Sequence, residues 1–143
     1  MQQNVSFITI LFISSLVFNL NAEYIRDDDK KIVNDTKSGL MWQDDLAGSA
    51  MNWDKAKKTC KNLTLGNYHD WRLPTINELR GIVDKNRTNP TLSTVFTSFV
   101  SDYYWSSSMI HIQDFYWGLD FANGNELNYY KLDESYVRCV RTR

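Results

Sequence analysis

Residues 69–79 constrain the fold most, because a proline and a helix-capping pattern meet within the sequence HDWRLPTINEL. Pro74 fixes its own φ and keeps Leu73 out of the helical region, so the chain reaches this point in an extended conformation. Thr75 and Glu78 then have the spacing of a capping box, in which the Thr hydroxyl and the Glu carboxylate each accept a backbone N–H. The stretch therefore predicts an extended segment followed at once by a capped helix.

The extended segment also separates buried from exposed side chains. Trp71 and Leu73 are two residues apart and share one face, whereas Arg72 points the opposite way. A planar guanidinium with five donors suits a structural tie, so we expect Arg72 to bind carboxylates or carbonyls near Asp70 and Glu78. Four residues of this stretch are accordingly predicted to be structural: Trp71, Arg72, Thr75 and Glu78.

The first 22 residues are predicted to be a secretory signal peptide. Residues 7–18 are almost entirely apolar, and no ionisable side chain precedes Glu23. This run is short for a bilayer span but has the length of a signal-peptide core. An uncleaved membrane anchor is the alternative. We expect an exported protein with no membrane span after cleavage, in which residues 23–143 form a single domain.

Cys60 and Cys139 are the two cysteines of the chain. In an exported chain an even number of cysteines indicates a disulfide. Bridging this pair would close about 80 residues, for a stabilisation on the order of 4 kcal/mol. Two free thiols and half of a metal site are the alternatives, although the metal site would lack further Cys or nearby His ligands.

Two helices are predicted in the middle of the chain. After Asn52, a suitable N-cap, apolar residues recur at a helical period and leave lysines on the opposite face. The apolar face comprises Trp53, Ala56, Cys60 and Leu63, and the basic face comprises Lys55, Lys58 and Lys61. The basic face is either solvated or able to hold an anionic sugar. The second helix follows Thr75 and is expected to continue to Val83, weakened by Gly81.

Strands are predicted on both sides of these helices. Residues 31–33 and 40–43 indicate a hairpin whose turn contains Gly39. The last third of the chain contains four aromatic or β-branched runs, at residues 103–107, 115–121, 126–130 and 136–141. Between the second and third runs, Asn123 and Gly124 tolerate the positive φ of a type I′ turn and indicate another hairpin.

Four motifs in this order resemble the Lcl C-terminal domain family, named for the globular end of a collagen-like bacterial adhesin. They are residues 39–43 (GLMWQ), 70–75 (DWRLPT), 104–107 (YWSS) and 136–141 (YVRCVR). The resemblance covers nearly the whole of residues 23–143 and extends, more distantly, to C-type-lectin-like and formylglycine-generating-enzyme domains. It implies an α+β, C-type-lectin-like fold with two short helices packed on a mainly antiparallel twisted sheet. It also implies a bacterial source, so the exported protein is expected in the periplasm, in the medium or on the cell surface.

Catalytic chemistry finds little support in the residues. His69 and His111 are far apart and lack a motif, and residues 106–108 (SSS) lack the glycine pattern of a hydrolase nucleophile. A formylglycine-generating oxygenase needs reactive cysteines, which the predicted disulfide would consume. Oxygen atoms near Asp120 and Glu126 are better explained by the turn than by a cation. We therefore predict no catalytic residue, metal or cofactor, with an enzyme as the alternative.

The net charge of −1 does not provide the basic surface that nucleic-acid binding requires. The strand region instead holds more aromatic residues than one sheet face absorbs, so some are expected to be exposed and to suit a sugar ring or a protein surface. The alternative is an aromatic core with packing between chains, which would make a homo-oligomer or a purely structural module of the cell envelope.

The lectin-like arrangement that the resemblance implies would place the ligand at residues 107–114 and 129–131. Polar groups beside an aromatic face are suited to a sugar or a polar peptide. The predicted ligand-binding residues are Ser108, His111, Gln113, Tyr130 and Lys131. We expect weak, largely salt-insensitive binding there to a neutral or lightly charged glycan or to an extracytoplasmic protein surface.

Overall fold

The computed structural model describes residues 23–45 and 48–143, so the predicted signal peptide lies outside the described residues. These residues form the predicted α+β fold with two short helices. The strands form two antiparallel sheets, whereas a single mainly antiparallel sheet was expected. The elements in chain order are β1 (Tyr24–Asp27), β2 (Ile32–Asp35), β3 (Leu40–Gln43), α1 (Trp53–Asn62), α2 (Ile76–Gly81), β4 (Tyr103–Met109), β5 (Phe115–Asp120), β6 (Glu126–Tyr130) and β7 (Val140–Thr142). Within the described residues, no helix is long and apolar enough to cross a bilayer. The more specific C-type-lectin-like arrangement stays a prediction.

The first sheet has the strand order β1-β2-β3-β7. Its central hairpin joins β2 to β3, as predicted, with Asp35 opposite Leu40. The Asp35 carboxylate accepts the N–H groups of Lys37 and Ser38, each at 3.0 Å, and Gly39 closes the turn with φ of +72°. The Asp35 carboxylate, as an acceptor, and Gly39 together explain why the turn forms here.

The last predicted strand, residues 136–141, is wrong in extent. Tyr136 bonds to the second sheet, where its N–H donates to Tyr103 O at 2.8 Å and its carbonyl accepts Trp105 N–H at 2.9 Å. Only from Val140 does the chain pair with β3. The run is divided because it crosses from one sheet to the other.

The crossing segment is held by the buried Arg138. Its guanidinium donates to Gln43 O at 2.5 Å, to Ser98 O at 2.7 Å and to the Asp44 carboxylate at 3.1 Å, and lies 4.6 Å from the centroid of the Phe96 ring. Burial lowers the pKa of Arg138 to about 10, so the group stays protonated at neutral pH. The buried Arg138 charge therefore ties the crossing segment to the end of β3 and to the loop that precedes β4.

The second sheet has the order β4-β5-β6. The predicted hairpin between β5 and β6 exists, but the type I′ turn is wrong. Leu119 is opposite Glu126, Gly124 N–H donates to Asp120 O at 2.7 Å, and Gly124 has positive φ whereas Asn123 does not. The loop is longer than two residues, so a single positive φ is sufficient.

The aromatic residues of the second sheet pack on both of its faces. Tyr104 and Leu119 join the cluster that contains α2, whereas Trp105 joins the cluster that contains α1 and the disulfide. Of the aromatic residues in the strand region that led us to expect exposed rings, Tyr130 is exposed and the others are half-buried or buried: Tyr103, Tyr104, Tyr116, Trp117, Tyr129 and Tyr136. The expectation of several exposed rings assumed a single covered face, and here both faces are covered.

Helix α1 is fixed at both ends of its buried face. The Asn52 side chain accepts Lys55 N–H at 3.0 Å, which makes Asn52 the N-cap. The predicted disulfide between Cys60 and Cys139 is confirmed, and both residues are fully buried. The bridge ties the last turn of α1 to the segment that precedes β7.

Candidate functional site

The five predicted ligand-binding residues lie around the end of the β4–β5 hairpin, at residues 107–114 and 129–131, which we call the tip surface. Ser108 is engaged elsewhere, because its Oγ accepts Ile76 N–H at 3.0 Å where α2 begins. Lys131 forms an ion pair with Asp114 at 2.9 Å. Two of the five side chains are therefore committed to structural contacts.

The other three predicted residues are exposed. His111 and Gln113 lie in the β4–β5 loop, and the Tyr130 ring packs at 5.5 Å, centroid to centroid, against Phe115. Apolar neighbours are exposed as well: Met109, Ile112 and Leu132. The tip surface is a set of exposed side chains on one hairpin end, with few contacts that fix their orientation.

A separate cleft of about 500 Å³ lies between α1, the extended segment before α2 and the end of β4. We call it the Trp53 cleft. Its lining residues are Trp53, Lys57, Lys61, Trp71, Arg72, Leu73, Thr75 and Ser107. This volume is in the range of small-molecule sites in proteins.

Local sequence rules set the walls of this cleft. Trp53, Lys57 and Lys61 are spaced four residues apart, so they form one stripe along α1. The opposite wall is the extended segment that Pro74 imposes, and Ser107 N–H donates to Pro74 O at 2.7 Å. That bond holds β4 against the wall, so the cleft is formed where α1, the extended segment and β4 meet.

The far wall continues into α2 through the capping box predicted from Thr75 and Glu78. Glu78 N–H donates to Thr75 Oγ1 at 3.2 Å, and Thr75 N–H donates to the Glu78 carboxylate at 2.8 Å. Trp71 and Leu73 are buried and Arg72 is exposed, as the alternation predicted. Helix α2 ends at Gly81 rather than at Val83.

Arg72 is occupied by an ion pair with Glu78. Its two terminal nitrogens donate to the two carboxylate oxygens at 2.8 and 2.7 Å. Hydrogen bonding to Glu78 raises the pKa of Arg72. Burial opposes ionisation of Glu78, but hydrogen bonds from Arg72 and from Thr75 N–H outweigh burial and lower the pKa of Glu78.

The expected role of Asp70 beside Arg72 is wrong. Asp70 binds Arg141 instead, with nitrogen to oxygen distances of 2.6 and 3.0 Å. The Arg141 guanidinium also lies 4.0 Å from the centroid of the Tyr68 ring. Arg72 N–H donates to Val140 O at 2.9 Å, so Asp70 lies beside β7, the strand that contains Arg141.

The Trp53 side chain is held in one orientation. Its indole N–H donates to Ser106 O at 2.9 Å, and its ring stacks on Tyr116 with centroids 3.8 Å apart and planes 15° apart. The Lys57 ammonium lies 5.1 Å from the centroid of the same ring. Only about 7% of Trp53 is exposed.

The cleft carries uncompensated positive charge. Among the described residues, Lys57 and Lys61 form no ion pair, whereas Arg72 is neutralised by Glu78. The other two lysines of α1, Lys55 and Lys58, line a separate groove with Asn62 and Leu63. One helix therefore presents two lysine pairs to two different surfaces.

The sequence did not single out Lys57. Lys55, Lys58 and Lys61 were assigned to one face that is either solvated or able to hold an anionic sugar, and Trp53 was assigned to the core, where it is indeed buried. The signal that identifies the cleft wall is the spacing of an aromatic residue and two lysines at i, i+4 and i+8, which places them on one stripe.

The groups considered for catalysis and metal binding have other contacts. Thr64 Oγ1 lies 3.0 Å from His69 Nδ1, and Ser106 Oγ donates to Trp117 O at 2.7 Å. Asp120 accepts Ala122 N–H at 2.7 Å, and Glu126 pairs with Arg80. Over residues 23–45 and 48–143, no group of three or more His, Cys, Asp or Glu side chains is arranged to hold a metal ion.

A comparison with curated proteins returned no match. The family model of the Lcl C-terminal domain matches residues 31–141, which is most of the chain. This match includes both sheets from β2 onward, the disulfide and every wall of the Trp53 cleft. The chain therefore belongs to the Lcl C-terminal domain family.

Proposed function

We propose that this protein is a noncatalytic, exported bacterial recognition domain that binds a glycan with anionic substituents in the Trp53 cleft. The observation that carries the proposal is the α1 stripe of Trp53, Lys57 and Lys61, in which one aromatic ring and two unpaired ammonium groups line one cleft. Aromatic rings offer apolar contact to the flat face of a sugar. Ammonium groups attract carboxylate or sulfate as point charges.

The local charge of the cleft matters more for this proposal than the net charge. A chain of net charge −1 attracts polyanions weakly as a whole, but two adjacent unpaired lysines create a positive potential in a confined cleft. Such binding is expected to weaken with salt, because exposed charges are screened. The cleft therefore favours an anionic ligand, whereas the tip surface was predicted to bind a neutral or lightly charged glycan or a protein surface.

The test is a glycan array of neutral, carboxylated and sulfated oligosaccharides, followed by affinity measurements on the purified protein. We expect anionic members to bind. The Lys57→Ala/Lys61→Ala variant should lose roughly 2- to 30-fold in affinity, if each exposed charge contact contributes about 0.2–1 kcal/mol.

The matched control is Lys55→Ala/Lys58→Ala, which removes the same charge from the same helix on its other groove. It should bind like the wild type. Equal losses in the two variants would reduce the site to the general charge of α1. Unchanged binding in both, with loss in a His111→Ala/Gln113→Ala variant, would place the site on the tip surface. Turnover of any bound glycan would support the enzyme alternative.

A further inference from the structure

Two groups lie against the Trp53 ring. Tyr116 stacks on one face at 3.8 Å, which leaves no room for a ligand there. The Lys57 ammonium lies over the ring at 5.1 Å from its centroid and lines the Trp53 cleft together with it. A sugar that enters the cleft to stack on Trp53 therefore has to displace Lys57.

The two groups differ in how easily they move. Tyr116 belongs to β5 and is paired with Tyr129 of β6, so its backbone is fixed within the sheet. Lys57 is a four-carbon side chain on an exposed helix surface with no ion pair among the described residues, so rotamer changes are enough to withdraw it. Lys61, one turn further along α1, has no ring contact within the described part of the chain.

We propose that Lys57 is a specificity-determining residue: its ammonium covers Trp53 until the anionic substituent of a ligand draws it away, which opens the ring to the apolar face of the sugar. This inference rests on the proposed function and assigns the two cleft lysines different tasks. Lys61 supplies charge alone, whereas Lys57 also controls access to the ring.

The consequence is selection against neutral sugars. A neutral ligand must displace the ammonium from an aromatic face to which it is attracted, with no new charge partner in return. An anionic ligand replaces that contact with a direct charge interaction and gains stacking on Trp53. A ligand that cannot offset the displaced contact is thereby rejected, which is how specificity arises from a repulsive or uncompensated element.

The experiment compares two ligands that differ only at their carboxyl groups, tetragalacturonic acid and its uncharged, fully methyl-esterified form. A sulfated galactan tetrasaccharide is the third ligand, so carboxylate and sulfate sources of the negative charge are distinguished. Affinities are measured by calorimetry for the wild type and for Lys57→Ala, Lys61→Ala and Lys58→Ala, in one buffer of low ionic strength.

We expect one variant, Lys57→Ala, to change the affinities for anionic and neutral ligands in opposite directions. Lys57→Ala should bind the anionic tetramers more weakly and the methyl ester more tightly, by roughly two- to fivefold, the range set by an exposed cation–π contact. Lys61→Ala should lose affinity for the anionic tetramers without the gain for the methyl ester. Lys58→Ala should match the wild type with all three ligands.

Two results would overturn the inference, and they are distinguishable. If the methyl ester binds Lys57→Ala no better than the wild type while the anionic tetramers still require both lysines, Lys57 supplies charge only and the proposed function stands. If neither anionic tetramer binds the wild type, the proposed function fails and the selectivity role fails with it.

Discussion

The Trp53 cleft and the tip surface both combine aromatic and polar side chains, but they differ in what holds those side chains. Trp53 is fixed by Tyr116, by a hydrogen bond to Ser106 O and by a helix that a disulfide anchors. At the tip surface His111 and Gln113 are exposed on a hairpin loop. Binding groups need supporting contacts to keep a productive geometry. Two surfaces of similar composition can therefore differ in whether they hold a binding geometry.

The largest effect on stability should come from removing the disulfide that holds α1, one wall of the cleft. A Cys60→Ala/Cys139→Ala variant should lose about 2–5 kcal/mol of unfolding free energy, because the native bridge spans a sequence separation of 79 residues. The cleft should lose protection from hydrogen exchange before the tip surface does, since the bridge is attached to α1. Urea unfolding measures the loss, and native-state hydrogen exchange compares α1 with the β4–β5 hairpin. A loss below about 1 kcal/mol would show that packing alone holds α1.

Local chemistry explains which parts of the fold were predictable. The Thr75 and Glu78 capping box, the Asn52 cap and the Gly39 turn depend on neighbouring residues, so the sequence alone predicts them. The disulfide was predictable because a chain with two cysteines has only one way to pair them within itself.

The errors arise where distant segments compete for the same residues. Residues 136–141 have the composition of one strand, yet Tyr136 bonds to one sheet and Val140 to the other, which no local pattern reveals. Asp70 pairs with Arg141 rather than Arg72 for the same reason. The cleft itself needs α1, Pro74 and Ser107 to meet, so its lining could be only partly predicted from the stripe on α1.

A smaller effect on stability is expected from Glu78, which binds Arg72 in the far wall of the cleft, and this effect should depend on pH. The pKa of Glu78 is lowered in the folded protein, so its contribution to stability is present above the unfolded pKa, about 4.3, and is lost as pH falls through the folded pKa. Unfolding free energy should therefore differ between wild type and Glu78→Gln at pH 7, and the difference should shrink below about pH 4. A difference that is constant with pH would mean that the carboxylate charge contributes nothing.

The smallest effect is expected at the tip surface. Because His111 and Gln113 are exposed, a His111→Ala/Gln113→Ala variant should change unfolding free energy by no more than about 0.5 kcal/mol. Under the proposed function it should also bind anionic tetramers like the wild type in calorimetry. A selective loss of binding with unchanged stability would reverse the comparison and restore the surface predicted from the family resemblance.

The central claim is tested most directly by mapping where a ligand binds in solution. Tetragalacturonic acid is titrated into ¹⁵N-labelled protein, and the shifts of backbone amides and of the five indole N–H signals are followed. If the ligand binds in the Trp53 cleft, the largest shifts should occur at the Trp53 indole N–H, residues 57–61, residues 71–75 and Ser107. Shifts confined to residues 110–114 and 129–131, with an unmoved Trp53 signal, would contradict it.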